Sequence, residues 1–346
     1  TVSFSKLEIA SVTCKGSTGA TLVSAVGRVK FSKIKAYKLI SENPDGGFLD
    51  MTDMASAIVS IDDTSISELS NEVGAGAVFL NRSTLTAKLL EITSTASNLT
   101  AGMTLTSMKY VEIDSCLFTN LQTKGGIGAA LKVSYESSPS QSFKLKNSFF
   151  KACKVLSLQG GGLHLEFSSY PLQLEIDSCT FTKCYAEIGG SSIYIESTAI
   201  ILGSSFVKNS KFYENEDLIK GTLTAFIQNS FTLQNCEFTS NDLAESVVDL
   251  NLTRLNSKAK VDACKFIKNA SEAILSVSGV KGSTLDITDT SFLSNTCNNS
   301  VDTARASGSF KKCEFTNNTG PVRLSASSIS AKDCKFNSNT STISAG

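Results

Sequence analysis

A short motif that recurs nine times constrains this chain more than any other feature. Each copy has a small residue, any residue, Phe, two further residues and then, in most copies, Asn or Cys. The phenylalanines are Phe118, Phe150, Phe181, Phe212, Phe238, Phe266, Phe292, Phe315 and Phe336. The small residues are Cys116, Ser148, Cys179, Ser210, Cys236, Cys264, Thr290, Cys313 and Cys334. The residues three positions after Phe are Leu121, Cys153, Cys184, Asn215, Asn241, Asn269, Asn295, Asn318 and Asn339. A motif at fixed phase in units of drifting length predicts a solenoid of stacked units.

The repeat also predicts how the chain is organised. The spacing between phenylalanines falls from 32 residues after Phe118 to 21 residues before Phe336, and Phe31 and Ile66 are interpreted as degenerate earlier copies. We therefore expect one continuous domain over residues 1–346, with degenerate rungs in 1–110, regular rungs in 111–346 and about eleven to thirteen rungs in all. Because no leader precedes Thr1 and the last unit lacks a second half, we expect a segment of a longer chain.

The pattern inside each unit is that of β-strands. Apolar and polar residues alternate over residues 192–196 and 247–252, and Gly, Asn and Ser separate such stretches. A unit of 21 residues has no room for a ten-residue amphipathic helix beside two or three strands. The chain is therefore predicted to be all-β, a single right-handed parallel β-helix about 55–60 Å long at the usual spacing between strands.

A leucine-rich-repeat solenoid is the alternative fold. Extended backwards, the motif has apolar, Cys, Phe and Cys or Asn residues at the spacing of a leucine-rich repeat, as at Ile176, Cys179, Phe181 and Cys184. The second half of each unit argues against this alternative because it has a strand pattern, and the further Leu that such a repeat requires occurs only at Leu243.

Stacked rungs convert each motif position into a column along the solenoid. Residues at the same phase lie about 4.8 Å apart, so we expect the phenylalanines to form an aromatic column in the interior. The small residue two positions earlier faces the same way and forms a second interior column. We expect the asparagines to form a ladder in which each side-chain amide bonds its neighbours above and below.

The totals exclude several classes of function. Lys and Arg number 32 and Asp and Glu number 32, so the chain lacks the positive charge of a nucleic-acid-binding protein. No run of 18 apolar residues occurs, and we expect no membrane-spanning segment. With one His and no Cys-x-x-Cys pair, we expect no metal site, and nothing in the chain predicts a cofactor. Ser and Thr, 53 and 32 residues, suit a hydroxyl-rich β surface.

The placement of the cysteines predicts three disulfides between neighbouring rungs. Cys153 and Cys184, Cys236 and Cys264, and Cys313 and Cys334 occupy the same phase in adjacent rungs. Their Cα atoms would lie about 4.8 Å apart, which a disulfide accepts. Ten cysteines in a surface protein also indicate an oxidising compartment. The alternative is a column of buried thiols that pack as small apolar groups.

Asn-x-Ser/Thr sequences occur seven times, against about five expected by chance in a chain of this composition. Asn269 and Asn339 also belong to the predicted ladder, where an inward amide could not carry a glycan. The candidate glycosylation sites are therefore Asn81, Asn98, Asn251 and Asn298.

No catalytic arrangement is evident in the sequence. A glycosidase needs two carboxylates at a fixed separation. Asp62 and Asp63 are adjacent and would point to opposite faces of a strand, and Asp286 and Asp289 have no acidic neighbours at their phase. His164 is predicted to point outward, as a surface histidine. We therefore expect no catalytic residues, and a polysaccharide-active lyase or hydrolase is kept as the alternative function.

The chain resembles a known family of surface proteins. Phe-x-x-Asn motifs, from Phe206–Asn209 to Phe336–Asn339, occur together with glycine-rich motifs at residues 125–131, 160–163 and 189–193. Together they resemble the repeats of the chlamydial polymorphic outer-membrane protein family and related repeats in protist surface proteins. The resemblance covers residues 111–346. It implies a β-helical protein exposed at the cell surface or outside the cell, acting in adhesion or in surface structure.

These observations lead to one functional hypothesis with two forms. The chain is expected to be a non-enzymatic extracellular protein, either a fibre component that associates end to end or laterally, or an adhesin that binds a host cell or a glycan. The longest insertions, residues 41–47 and 135–141, must leave the coil as loops, and we expect any partner contact there. Uniform Ser/Thr faces favour the fibre.

Overall fold

The protein is a parallel β-solenoid. The computed structural model describes residues 1–14, 21–22, 27–42, 47–51, 57–135, 141–167, 172–197, 204–325 and 327–340. In a full rung the chain passes through four short strands, and each strand pairs in parallel with the strand at the same position in the next rung. We name the four stacks of strands the lead face, the Phe face, the short face and the return face.

The lead face is the first face of each rung. Three long strands pass through a corner and so belong to more than one face: two begin on the lead face and one begins on the Phe face. Those long strands are β6 (Lys35–Ser41), β8 (Ile58–Asn71) and β10 (Thr84–Thr93). The other strands of the lead face are β1 (Val2–Ser5), β5 (Arg28–Ser32), β13 (Tyr110–Asp114), β17 (Gln141–Lys146), β21 (Leu172–Asp177), β25 (Ser204–Lys208), β29 (Ser230–Gln234), β33 (Lys258–Asp262), β36 (Thr284–Thr288), β39 (Ser307–Lys311) and β42 (Ser328–Lys332).

The Phe face carries the repeated motif. Besides parts of β6, β8 and β10, its strands are β2 (Glu8–Ala10), β14 (Leu117–Thr119), β18 (Phe149–Lys151), β22 (Thr180–Thr182), β26 (Lys211–Tyr213), β30 (Glu237–Thr239), β34 (Lys265–Ile267), β37 (Ser291–Leu293), β40 (Glu314–Thr316) and β43 (Lys335–Asn337). Within the described ranges, thirteen strand segments are stacked on this face. The stack agrees with the predicted eleven to thirteen rungs.

The short and return faces complete the rung, and two strands run through both of them. These are β35 (Ala270–Ser278) and β38 (Thr296–Ala304). The short face otherwise contains parts of β6 and β8 and the strands β3 (Thr13–Cys14), β11 (Ala96–Ser97), β15 (Gln122–Thr123), β19 (Lys154–Val155), β23 (Tyr185–Ala186), β27 (Glu216–Asp217) and β31 (Asp242–Leu243). The return face contains β4 (Thr21–Leu22), β7 (Leu49–Met51), β9 (Val78–Asn81), β12 (Met103–Thr106), β16 (Leu131–Tyr135), β20 (Leu163–Phe167), β24 (Ile193–Ser197), β28 (Leu223–Ile227), β32 (Ser246–Leu252) and β41 (Val322–Ser325).

The register shows that only one of the two proposed degenerate copies of the motif belongs to the Phe column. Phe118 pairs with Ile92, which pairs with Ile66, so Ile66 belongs to the Phe column and one weak unit separates it from Phe118. Phe31 pairs with Phe4 and Ile61 on the lead face. The assignment of Phe31 to the Phe column was therefore wrong, because both faces carry buried apolar side chains and the isolated residue does not distinguish them.

Single residues make the corners on both sides of the Phe face. One residue with a left-handed backbone precedes the inward-facing small residue, as at Ser178 (φ 56°), and another follows each Phe strand, as at Lys183 (φ 55°). Alanine and glutamate also occupy such corners, at Ala263 (φ 51°) and Glu214 (φ 50°). This conformation costs a non-glycine residue about 1–2 kcal/mol, and the stacking of complete rungs offsets it.

The glycine-rich motifs lie at the corner between the short and return faces, where the backbones of successive rungs come close. A Cβ atom on Gly161 would lie 2.2 Å from the backbone oxygen of Ser191, in the next rung. Gly190 adopts φ 63° and passes against Tyr194. Larger residues cannot take these positions, so the glycines serve the packing of the rungs.

The structure rules out the leucine-rich-repeat alternative. In the described part of the chain no helix is formed, and the second half of each unit is a strand of the return face. For the same reason, the described residues contain no helix of the length and apolarity needed to cross a membrane. Residues 43–46 and 136–140, within the two predicted loops, and the final residues 341–346 lie outside the described ranges.

We predict that Ala263→Gly stabilises the protein by about 0.5–1 kcal/mol, because glycine adopts the left-handed corner without the steric cost that alanine bears. Urea unfolding of the two proteins measures the difference. The matched control is Ala259→Gly, since Ala259 is buried in strand β33 of the same rung and its replacement should destabilise. A loss of stability in Ala263→Gly would contradict this account of the corners.

Candidate functional site

The nine motif phenylalanines form one continuous column inside the solenoid. From Phe118 to Phe336, successive ring centroids lie 4.4–5.3 Å apart, and the rings are within 14° of parallel. The rings from Phe118 to Phe315 are fully buried, whereas Phe336, on the last described strand, is 56% exposed. Each stacked pair adds about 0.5–1.5 kcal/mol to the burial of its rings.

The asparagines form a ladder beside the aromatic column. Asn269 shows the pattern: its Nδ2 donates to Oδ1 of Asn295 at 3.1 Å and to the backbone oxygen of Phe238 at 2.9 Å. Its Oδ1 accepts bonds from both Nδ2 and the backbone N–H of Asn241. The same pattern joins Asn215, Asn241, Asn269, Asn295, Asn318 and Asn339. Every amide in the middle of the ladder is therefore hydrogen-bonded on both sides.

The interior cysteines are thiols. All ten cysteines are free in this structure, and the three disulfides stay a prediction. The register does bring Cys153 beside Cys184, and the other two pairs likewise. The two thiols of each pair lie within hydrogen-bond reach of each other without being joined.

The thiols bond to backbone oxygens and are chemically protected. Sγ of Cys116 donates to the carbonyl oxygens of Ala87 and Asp114, and Sγ of Cys264 to those of Leu233 and Asp262. Burial raises the pKa of the Cys116, Cys179 and Cys313 thiols to about 12. Because the thiolate is the reactive form, these cysteines are poor nucleophiles and act in packing.

The candidate glycosylation sites differ in exposure. Asn98 and Asn298 are exposed, and Asn81 and Asn251 are half-buried. The side-chain nitrogen of Asn251, to which a glycan would be joined, donates to Asp249 at 2.9 Å. Asn269, by contrast, is buried in the ladder. Asn98 and Asn298 therefore remain the more accessible of the four predicted sites.

His164 is buried, contrary to the prediction of a surface histidine. It is 2% exposed, and its ring stacks on that of Tyr194 at 5.2 Å. The chain at Gly160 folds back so closely that a Cβ there would lie 2.8 Å from Cβ of His164. Burial, together with the charge of Lys132, lowers the pKa of the imidazole to about 3. His164 is therefore neutral at physiological pH, and its side chain packs beneath the corner formed at Gly160.

The carboxylates considered from the sequence are dispersed. Asp63 and Asp289 occupy left-handed corner positions, at φ 45° and 48°. Asp62 lies on the lead face beside Lys88, and Asp286 accepts a hydrogen bond from Ser309 at 2.7 Å. In the described residues, no group of three or more His, Cys, Asp or Glu side chains has the arrangement of a metal site.

The short face forms a trough that the sequence did not predict. Two clefts of about 480 Å³ and 520 Å³ follow it, and Asp242 lines both. Glu216 and Asp242 are exposed register partners on adjacent rungs, with Tyr185 one rung before them. The Lys183 ammonium pairs with Glu214 at 3.4 Å across the same trough. Only the register of the rungs reveals this grouping, since Glu216 and Asp242 are 26 residues apart.

Opposite charges alternate along the lead face. Asp62, Lys88, Asp114, Lys146, Asp177 and Lys208 are register partners in successive rungs. The Glu175 carboxylate bridges Lys146 at 3.3 Å and Lys208 at 3.0 Å, and Lys208 also lies 3.5 Å from Asp177. A shift of the stack by one rung would place like charges together, so this column helps to specify the register.

Comparison with known proteins identifies the class of fold. Residues 137–306, just under half of the chain, match the family model described as a right handed beta helix region. No curated protein and no solved structure matches the chain. The matched residues and the rungs on either side form one continuous parallel stack. The chain is therefore an all-β protein built on a right-handed parallel β-helix.

We predict that Asn269→Ala destabilises the protein by about 3 kcal/mol, because its neighbours on both sides lose buried hydrogen-bond partners. Urea unfolding measures the loss. The matched control is Asn298→Ala, an exposed asparagine of strand β38, for which we expect a change within about 0.5 kcal/mol. Equal effects of the two substitutions would argue against the ladder as a source of stability.

The buried carboxyl of Asp217 makes stability depend on pH. Asp217 is 4% exposed, its Oδ1 accepts the N–H groups of Ile219 and Lys220, and burial raises its pKa from 3.8 to about 7. The folded state therefore binds the proton more tightly, and its stability falls as pH rises from about 4 to 7. Asn71, in the same column, accepts two backbone N–H groups in the same way.

We predict that Asp217→Asn, which keeps this turn without the charge, stabilises the protein at pH 8 by about 4 kcal/mol and has little effect at pH 4. Urea unfolding at both pH values measures the difference. Asp242→Asn, a change of an exposed carboxylate one rung away, is the control and should be neutral at both. A gain of the same size at pH 4 and pH 8 would exclude titration of Asp217 as its cause.

Proposed function

We propose that this chain is a non-enzymatic extracellular or cell-surface protein that serves as a rigid structural element of a fibre or surface appendage. The observation that carries the proposal is the unbroken run of the interior columns. Aromatic stacking continues from Phe118 to Phe336 and the amide ladder from Asn215 to Asn339 without a change of register. A stack locked by the backbone and by two side-chain columns has no hinge, which suits a load-bearing rod.

The surface chemistry supports a location outside the cell. The Phe-x-x-Asn and glycine-rich motifs resemble those of the chlamydial polymorphic outer-membrane proteins and of protist surface proteins. The exposed side chains of Asn98 and Asn298 suit a glycoprotein. The cysteines would survive an oxidising environment as thiols, since most are buried and burial raises their pKa.

An aliphatic ridge supports lateral self-association. Along the corner between the short and return faces, Val73, Leu99, Leu156 and Leu218 are 41–59% exposed in rungs three, four, six and eight. Side-by-side copies would bury such a ridge. The column of Leu156 has Lys124 one rung before it and Glu187 one rung after it. An antiparallel pair centred on Leu156 would therefore place opposite charges together, as a two-fold interface requires.

The test is electron microscopy and sedimentation of the purified chain. We predict straight rods that pair side by side as concentration rises, and we predict that Leu156→Ser with Leu218→Ser yields single rods of unchanged length. The control is Leu255→Ser, a change of a more exposed leucine (64%) outside the ridge, which should leave pairing intact. Bent or segmented particles would overturn the rod, and pairing unaffected by the ridge substitutions would overturn lateral association.

A polysaccharide-active hydrolase is the second candidate, and the trough of the short face favours it. Glu216 and Asp242 are exposed register partners on adjacent strands, so two carboxylates lie side by side in the trough, and retaining glycosidases act through such a pair. Release of reducing ends from a panel of neutral and acidic polysaccharides tests this candidate. Activity lost in both Glu216→Gln and Asp242→Asn would establish it.

A further inference from the structure

Phe206 breaks the pattern of the lead face. On strand β25 the neighbouring Ser205 and Val207 point inward and are buried, so Phe206 points outward, where it is half-buried. Its register partners are Glu175 and Thr232, and other rungs have lysine, glutamate, aspartate, serine or threonine in this outward column. A large aromatic ring at one rung of a polar face has no role in the interior packing of the solenoid.

The ring forms the apolar side of a cleft of about 360 Å³. The lining residues are Lys144, Gln173, Leu174, Glu175, Phe206, Lys208 and Gln234. The cleft therefore combines one aromatic face with two side-chain amides, one carboxylate and two ammonium groups. Small-ligand sites have this make-up and about this size, with an apolar surface and a few polar groups that fix orientation.

The polar groups of the cleft are held in place before any ligand arrives. Glu175 is fixed between Lys146 and Lys208, and Gln234 donates to Asp262 at 3.2 Å. The Lys144 ammonium lies 6.0 Å from the centre of the Tyr110 ring, at the side of the cleft. An arrangement fixed in this way loses little conformational freedom when it binds.

The chemistry of the cleft distinguishes between classes of ligand. A peptide added as a strand needs a free strand edge, but β21 and β25 are paired on both sides. A sugar ring has apolar C–H faces that pack on an aromatic ring and hydroxyl groups that bond amides and carboxylates.

We propose that this cleft binds an acidic polysaccharide, with a sugar ring packed on Phe206 and a uronic-acid carboxylate paired with Lys144. The Glu175 carboxylate accepts hydrogen bonds from the sugar hydroxyl groups, and the amides of Gln173 and Gln234 can accept or donate them. The binding site goes beyond the proposed structural role, since it would attach the rod to a matrix of sugars, and the rod can exist without it.

The test is calorimetric titration of the full chain with a tetramer of galacturonic acid and with the neutral tetramer of galactose. We expect the acidic tetramer to bind more tightly. Phe206→Ala should weaken its binding roughly tenfold, the equivalent of one lost aromatic contact, and Phe206→Tyr should retain it. Lys144→Gln should reduce the preference for the acidic tetramer over the neutral one.

A matched control separates this site from other exposed rings. Phe149 is 36% exposed on strand β18 of the Phe face, outside the cleft, so Phe149→Ala should bind as the unaltered chain does. Thermal unfolding checks that each variant is folded. No binding of either tetramer by the unaltered chain, or equal losses in Phe206→Ala and Phe149→Ala, would overturn the proposal. Because rod length and pairing are measured separately, failure here is distinct from failure of the structural role.

Discussion

In-register parallel pairing between successive rungs is the constraint on which the rest of this structure depends. It repeats every side chain about 4.8 Å along the axis, so a residue type that recurs at one phase becomes a continuous column. The phenylalanines then stack ring on ring, and the asparagines bond above and below. The costs of the fold, such as left-handed corners at Ala263 and Glu214, are offset by these repeated contacts.

The same register organises the surface. Residues about 26 to 32 positions apart become neighbours, so the lead face acquires alternating charges and the short face acquires the Glu216–Asp242 pair. Function in such a protein belongs to outward columns and corners, because the interior positions are occupied by packing. The aliphatic ridge and the Phe206 cleft lie on different sides of the rod, so association and ligand binding need not compete.

The structure differs from the expectation for His164 and holds the cysteine pairs close together but unjoined. Phase put Cys153 beside Cys184, and the two thiols lie in hydrogen-bond contact there without a bond between them. Alternation put His164 on the outside of its strand, but the glycine corner folds over that side and buries the ring. For His164 the strand pattern was read correctly, and the neighbouring segment at Gly160 decided that the ring is buried.

The sequence by itself determined the repeat, the strand pattern, the parallel solenoid and the identity of the interior columns, because these depend on periods within one unit. Tertiary structure alone decided which outward residues of different rungs meet, since unit length drifts from 32 residues to 21 and no single spacing relates the outward positions. The trough, the charged column and the cleft at Phe206 arise from that register. The sequence supplies the residue types at these sites, but the stacking of the rungs brings those residues together.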